Sequence, residues 1–478
     1  MCQATGMPSY DIEEVKKHNR ADDFWCVVDN EVFDLTDFHA RHPGGSLIIS
    51  GAGSDCTVMY HNYHVFVKKR AKQTLRKFKI GDFEGTSPVM GAYYEDLSDE
   101  VAKRLGHLPK HPLKTKLIAA FDLGAMASIV LLSTMVTTQT PLWKVFALWC
   151  PLFMALNGRC KQEGHAIGHL QVFPKETNPY CEAATLLLGV ISMLAYSSSD
   201  GGNMRSLINE PREKSQAEFL NLAKRGPYEH QAIHHVKGAS LEHDGCLNLA
   251  SLNGAIRLTP DREWKRHHAW QTNPLLVNVY ECFFVINSIM LVGPVRFKMG
   301  AEYAKHREWR YAALCFLGVP AALLQTRLFL LPLWMGWLAR GLWLTLFVVA
   351  LRTSVFATGG YLFFAQHVWD RSTPEEIVDT DWGRYNNNSS FSLWNNNTWN
   401  PTFWFAGGAC PATLSYHCEH TLFPGINYSL LPQVAKINEE VCAKHGLPYN
   451  KLDGLGHCKE VYDGFLEKYS KPPSKKVD

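Results

Sequence analysis

Thirteen cysteines are spread through the 478 residues without a Cys-x-x-Cys pair or a regular spacing. That absence argues against a zinc ribbon and a disulfide framework alike, and leaves reduced thiols as the plain reading. Nor is one sign of charge in excess. Lys and Arg total 48 against 45 Asp and Glu, a formal +3 that gives no reason to expect nucleic acid as a partner. The stretch Met1–Asn19 lacks an apolar core, so no secretory signal peptide is expected and membrane entry falls to internal segments. Mean hydropathy is only −0.15, but it averages two compositions. The chain is polar and charged up to about residue 110, and long apolar runs begin near Leu117.

The polar part reads as short strands and helices. Phe24–Asp29 (FWCVVD) and Glu31–Leu35 (EVFDL) have strand-like alternation, with Asp29-Asn30 as the turn between them. His42-Pro43-Gly44-Gly45 follows, where Pro and two glycines fix a tight bend and let something flat approach the backbone. Tyr60-His61-Asn62-Tyr63-His64 then offers a second imidazole among aromatics. Two neutral imidazoles facing each other across an apolar slot suit a six-coordinate, electron-carrying haem iron. Together His42-Pro43-Gly44-Gly45, Ala52–Thr57 and Phe78-Lys79-Ile80-Gly81 resemble the cytochrome b5 signature over roughly residues 8–85. The resemblance implies an α+β haem-binding domain carrying haem b, with His42 and His64 as axial ligands. His61 is the rival for the second position, and a small soluble domain with a surface turn is the alternative.

Residues 86–114 read as a linker and 115–470 as a second, all-α domain. A spanning helix needs about 20 mostly apolar residues. Leu117–Thr137 with Leu142–Leu156, and Tyr311–Leu331 with Leu338–Phe364, form two candidate hairpins. Ala183–Tyr196 is too short to span comfortably, and Leu275–Val295 is long enough on length alone. A haem domain needs cytosolic reductant, and a site built from distant segments needs all of them on one side. Four spans meet that requirement and five do not. The basic flanks 110–116 and 296–300 fit the same side. The two remaining runs are then interfacial or buried helices in a cytosolic cap, and the alternative is a large soluble helical core.

Histidines cluster at metal-ligand spacing just beyond these spans. His165 and His169 stand at i and i+4, so a helix puts both on one face. His230 and His234 repeat the spacing, and His235 is turned about 100° from its neighbour. His417 and His420 stand at i and i+3. Many imidazoles without a thiolate cluster, fed by a one-electron haem carrier, favour redox iron over hydrolytic zinc.

The three clusters resemble the histidine boxes of the membrane fatty-acid desaturase and hydroxylase superfamily, and the b5 fusion resembles its front-end acyl desaturases. The resemblance implies His165, His169, His230, His234, His235 and His420 as ligands of two non-haem irons, with His417 and His367 as further candidates. It implies O₂ as co-substrate, a fatty-acyl lipid or acyl-CoA as substrate, an NADH-dependent cytochrome b5 reductase as electron donor, and the bilayer of the endoplasmic reticulum as location. The haem domain and the boxes would face the cytosol. This chain departs from the pattern twice. Ala166 follows His165, leaving Glu163 as the nearest carboxylate, and Thr421 stands where a second histidine is usual after His420. Either His367, His267 or His268 substitutes, or one iron site is weak and the chain is a non-catalytic haem carrier. Lipid hydroxylation is the alternative within the same chemistry. A zinc hydrolase would have only Glu229 and Glu419 as bases and would leave the haem domain idle.

Overall fold

The computed structural model describes residues 7–133, 139–144, 169–174, 235–236, 377–393 and 415–452, with isolated positions between and beyond them such as Met135, Ala166 and His457. Short elements alternate at the start: β1 (Ser9–Tyr10), α1 (Ile12–Lys17), β2 (Asn19–Arg20), β3 (Asp23–Val28) and β4 (Glu31–Asp34). The Asp11 carboxylate caps α1 by accepting from the Glu14 amide at 2.7 Å. Asp29 and Asn30 both take positive φ, 53° and 63°. The short polar side chains tolerate that conformation, and the resulting turn matches the twist of the two strands it joins. Next come β5 (Ser54–Asp55), α2 (Thr57–Tyr63), α3 (Lys68–Leu75) and β6 (Lys79–Phe83).

The sheet runs β1-β6-β4-β3-β2, with β5 paired to β3. The β1–β6 and β3–β5 pairs are parallel, and the others antiparallel. Period two divides β3 cleanly. Phe24, Cys26 and Val28 join Phe33 and Leu35 on the face toward α2 and α3, and Val27 joins Val15 and Val32 on the other. The first face is left partly open, and that opening is the cavity discussed below.

The segment read as a linker holds a helix, α4 (Ala92–Leu105). Tyr93, Leu97, Val101 and Leu105 recur every fourth residue, and all four are buried. They pack with α6 (Trp382–Ser389), α7 (His417–Leu422) and α8 (Leu431–His445) in one cluster that includes Trp382, Phe423, Val434 and Cys442. Val58 and Val65 of the first domain belong to the same cluster. The first domain and the helical layer therefore share a core. Lys68 Nζ of α3 also bonds Ser98 and Asp99 of α4, each at 2.6 Å. Helix α8 starts with Pro432 in its first turn and stops at Gly446, whose φ of 65° closes it while Leu447 N donates to Cys442 O.

Helix α5 (Leu113–Ser133) overlaps the first expected span, Leu117–Thr137, and starts ahead of it, inside the stretch read as a linker. It presents Leu117, Phe121 and Leu131 outward and buries Thr115, Ala119 and Asp122. Among the described residues no helix is long and apolar enough to cross a membrane. The runs 183–196, 275–295 and 338–364 lie outside the described residues, as do most of 142–156 and 311–331. The count of four spans is thus an expectation from sequence. Asn387 and Asn427 each open an Asn-x-Ser/Thr triplet, and both are buried in hydrogen bonds rather than presented to a glycan.

Candidate haem and metal site

His42 and His64 face each other across the cavity in the first domain, with ring centroids 6.0 Å apart and planes at 68°. Two imidazoles ligating one iron from opposite sides, each nitrogen about 2 Å from it, have ring centres roughly 6 Å apart, so the pair fits a bis-imidazole haem. The cavity measures about 660 Å³, with Phe24, Val28 and Leu35 from the sheet and Phe38 and Ile48 from the loops forming an apolar wall. Nδ1 of His64 lies 2.7 Å from the Tyr60 carbonyl, which fixes the ring and leaves Nε2 to the cavity. Burial lowers the His64 pKa from 6.5 to about 4, so the imidazole is neutral, as a ligand must be. His61 turns away, its Nε2 held at 2.8 Å by the Asp29 carboxylate.

Three of the predicted metal ligands meet in the second domain. His169, His235 and His420 are all buried, and one ring nitrogen from each can be chosen within 4.8 Å of the others. Ring centroids are separated by 4.6, 4.7 and 4.8 Å, and every pair of planes crosses at 84°. Nε2 of His169 and Nε2 of His235 are 3.2 Å apart. Two nitrogens about 2.0–2.1 Å from one ion sit roughly 3.0–3.4 Å apart, so the spacing fits a shared metal. His417 is buried one turn before His420 but stands outside this group of three. His165, His230, His234 and His367 lie outside the described residues, as do His267 and His268.

Each of the three rings is located by contacts between segments far apart in sequence. The backbone turns sharply after His169, with Leu170 at φ 59°, a conformation that costs a branched side chain about 1–2 kcal/mol. Gln171 holds that turn. Its amide N donates to Ala166 O at 2.9 Å, its side chain donates to Pro424 O at 2.8 Å, and its carbonyl accepts from Asn427 at 2.6 Å. The first and third boxes are thereby tied together. The second is tied by Trp382, whose indole N–H donates to the carbonyl of Val236, the residue after His235, at 2.7 Å. Gln171 and Trp382 carry no periodic or motif signal, and Asn427 shows in the sequence only as the start of an Asn-x-Ser triplet, so none of the three stands out as a partner of the histidine boxes.

Thr421 is engaged elsewhere. Its hydroxyl lies 2.9 Å from both Asn386 Oδ1 and the Cys418 carbonyl, and 3.2 Å from Ser390 Oγ. Glu419 is likewise committed, accepting from Ser392 Oγ at 2.7 Å and Asn438 Nδ2 at 2.9 Å while burial pushes its carboxyl up. It cross-links α7 to α8 and to the strand Ser392–Leu393, the position of a structural anchor rather than of a free base.

Comparison with known proteins matches two parts of the chain to two families. Residues 11–84 match the cytochrome b5-like heme/steroid binding domain, and residues 222–453 match the fatty acid desaturase family. The chain is built of a cytochrome b5-like domain followed by a fatty acid desaturase domain. It is similar to an acyl-lipid (8-3)-desaturase from Physcomitrium patens, 25% identical over 484 aligned residues that cover 94% of this chain and 88% of that protein. It is also similar to L-lactate dehydrogenase (cytochrome) from Wickerhamomyces anomalus, 36% identical over 123 residues, and to nitrate reductase [NADH] from Spinacia oleracea, 44% identical over 78. The chain spans only 20% and 8% of those two proteins.

Proposed function

We propose that the chain is an O₂-dependent fatty-acyl desaturase of the front-end type, supplied with electrons through its own haem. The observation that carries the reading is the meeting of His169, His235 and His420, one from each histidine box, in a buried group in which the His169 and His235 nitrogens stand at metal-ligand spacing. A membrane-facing setting is supported by the outward apolar side chains of α5, Leu117, Phe121 and Leu131. The full-length likeness to an acyl-lipid desaturase supports an acyl substrate.

In this reading His42 and His64 are the axial ligands of haem b, and His169, His235 and His420 hold one non-haem iron. His165, His230, His234, His417 and His367 are the remaining candidates for a di-iron centre. When bound, iron supplies the activation of O₂ that removes two hydrogens from an unactivated CH₂–CH₂ unit, with two electrons and two protons consumed and two waters formed. The protein's own part is positional. Gln171, Asn427 and Trp382 hold the boxes together, and the shared core holds the haem domain beside them. The donors are an NADH-dependent b5 reductase, and the location is the endoplasmic reticulum membrane with both sites cytosolic.

Thr421 favours a second reading, in which the site is degenerate and the chain is a membrane haem carrier, because its hydroxyl is committed to Asn386 and the Cys418 carbonyl. Non-haem iron per haem in detergent-purified protein separates the two. About two non-haem irons per haem, with a new double bond in the lipids of an expressing host, supports the desaturase. A value near zero in iron-replete preparations overturns it. A hydroxylated product would retain the centre and change the reaction.

A further inference from the structure

Tyr63 belongs to neither histidine set, yet it reaches both. It is the last residue of α2, peptide-bonded to His64, whose ring faces His42 across the haem cavity. Its hydroxyl lies 3.0 Å from Nδ1 of His169, 106 residues further along the chain. The other nitrogen of His169, Nε2, is the one 3.2 Å from His235 Nε2. The two nitrogens of this ring therefore serve two different groups. An imidazole that binds a metal through Nε2 carries its proton on Nδ1, and an acceptor at Nδ1 fixes both the tautomer and the ring orientation. The phenol oxygen of Tyr63 stands where that acceptor is needed.

The backbone around Tyr63 is shaped for the approach. A Cβ on Gly425 would lie 2.8 Å from Tyr63 Cδ1, closer than side chains tolerate, so the ring is seated directly on the glycine. Gly425 follows Pro424, the residue whose carbonyl takes the Gln171 amide, and lies five positions after His420. The other haem loop makes a parallel contact. A Cβ on Gly44, two residues after His42, would lie 3.6 Å from Leu170 Cδ1, and Leu170 is the residue after His169. Leu170 and Gly425 both line the haem cavity. Each histidine loop of the haem domain thus rests on a segment that follows a metal histidine.

Resting on the reading of His169, His235 and His420 as metal ligands, we propose that Tyr63 is a positioning residue of the metal centre contributed by the haem domain. Its phenol oxygen accepts from Nδ1–H of His169 and aims Nε2 at the metal, and the same ring, seated on Gly425, holds the His64 side of the haem cavity against that centre. The haem domain completes the metal site as well as feeding it.

The test uses Zn²⁺ as the probe, on full-length, haem-loaded, detergent-purified protein stripped of non-haem metal, with affinity read by competition against a chromophoric chelator. Tyr63→Phe keeps the ring on Gly425 and removes only the oxygen. It is expected to weaken Zn²⁺ binding about 10–100-fold, the usual effect of losing the partner of a ligating imidazole, while haem content and the Soret band stay at wild-type values and the thermal midpoint falls by no more than the loss of one buried hydrogen bond accounts for. Gly425→Ala, which displaces the ring without touching the hydroxyl, is expected to weaken Zn²⁺ binding in the same direction. Wild-type affinity in Tyr63→Phe overturns the proposal. So does weakened Zn²⁺ binding accompanied by loss of haem and a lowered thermal midpoint, which would make Tyr63 a packing residue. His169→Ala tests the underlying reading separately: if it binds Zn²⁺ as tightly as wild type, the three-histidine site itself is wrong.

Discussion

Trp382→Phe isolates the contact that locates the second histidine box. Trp382 is fully buried, and its indole N–H donates to the Val236 carbonyl at 2.7 Å. Phenylalanine keeps most of the apolar contact with Tyr94 but has no donor. Losing the donor to a carbonyl in a buried setting costs about 1–3 kcal/mol. The smaller ring leaves a void that adds roughly 1 kcal/mol more, well short of a full truncation to alanine. The total is about 2–4 kcal/mol, enough to lower the thermal midpoint by several degrees. The more informative effect is local. Val236 follows His235 directly, so freeing its carbonyl loosens the His235 ring and should weaken metal binding by about an order of magnitude. The Soret band should not change, because Trp382 does not line the haem cavity. Thermal melts followed by tryptophan fluorescence, chelator competition with Zn²⁺ and a haem spectrum on the same preparation give all three quantities. If the midpoint falls and metal affinity does not, Trp382 is only a core residue and the reasoning about His235 fails.

Two further outcomes follow from the geometry. Burial holds His64 at about 4 against 6.5 when free, so the haem-stripped fold should be indifferent to this group above pH 6.5. Below that the unfolded chain takes the proton first, and stability falls by about 3 kcal/mol on going to pH 4. Denaturation of the haem-stripped full chain should show this loss in wild type and not in His64→Leu, and parallel curves for the two would refute it. Thr421→Val removes a hydroxyl from Asn386 and the Cys418 carbonyl, and should cost about 1–2 kcal/mol while leaving Zn²⁺ affinity unchanged. A large loss of metal from that variant would make Thr421 a ligand after all.

Much of the first domain was legible because its signals are local. Asp29-Asn30 between two alternating runs announces the hairpin, and the β3–β4 pairing follows from it. His42 and His64 were visible because the glycines and aromatics that shape their slot are their sequence neighbours. His169, His235 and His420 were visible for a similar reason, each lying in a box with its own spacing. The contacts that bring them together were not, because they join residues with no common pattern: Tyr63 with His169, Gln171 with Pro424, Trp382 with Val236. Thr421 reads from sequence as a missing ligand, and its partner Asn386 stands 35 positions away. Helix α4 is a different case. Its repeat of Tyr93, Leu97, Val101 and Leu105 is present in the sequence, but the segment sits between two recognisable domains and reads as the connection between them.

The single core that contains Val58 and Val65 together with Leu97 and Trp382 also bears on supply. A soluble electron carrier reaches its acceptor by collision, so delivery depends on how much carrier the cell holds. A carrier packed into its acceptor's own core has an effective concentration set by geometry. On the electron route proposed above, competition from other proteins that accept electrons from free b5 has no effect on this last step, and the donor that reduces the haem becomes the point at which flux is regulated. Expression of additional soluble carrier would change little.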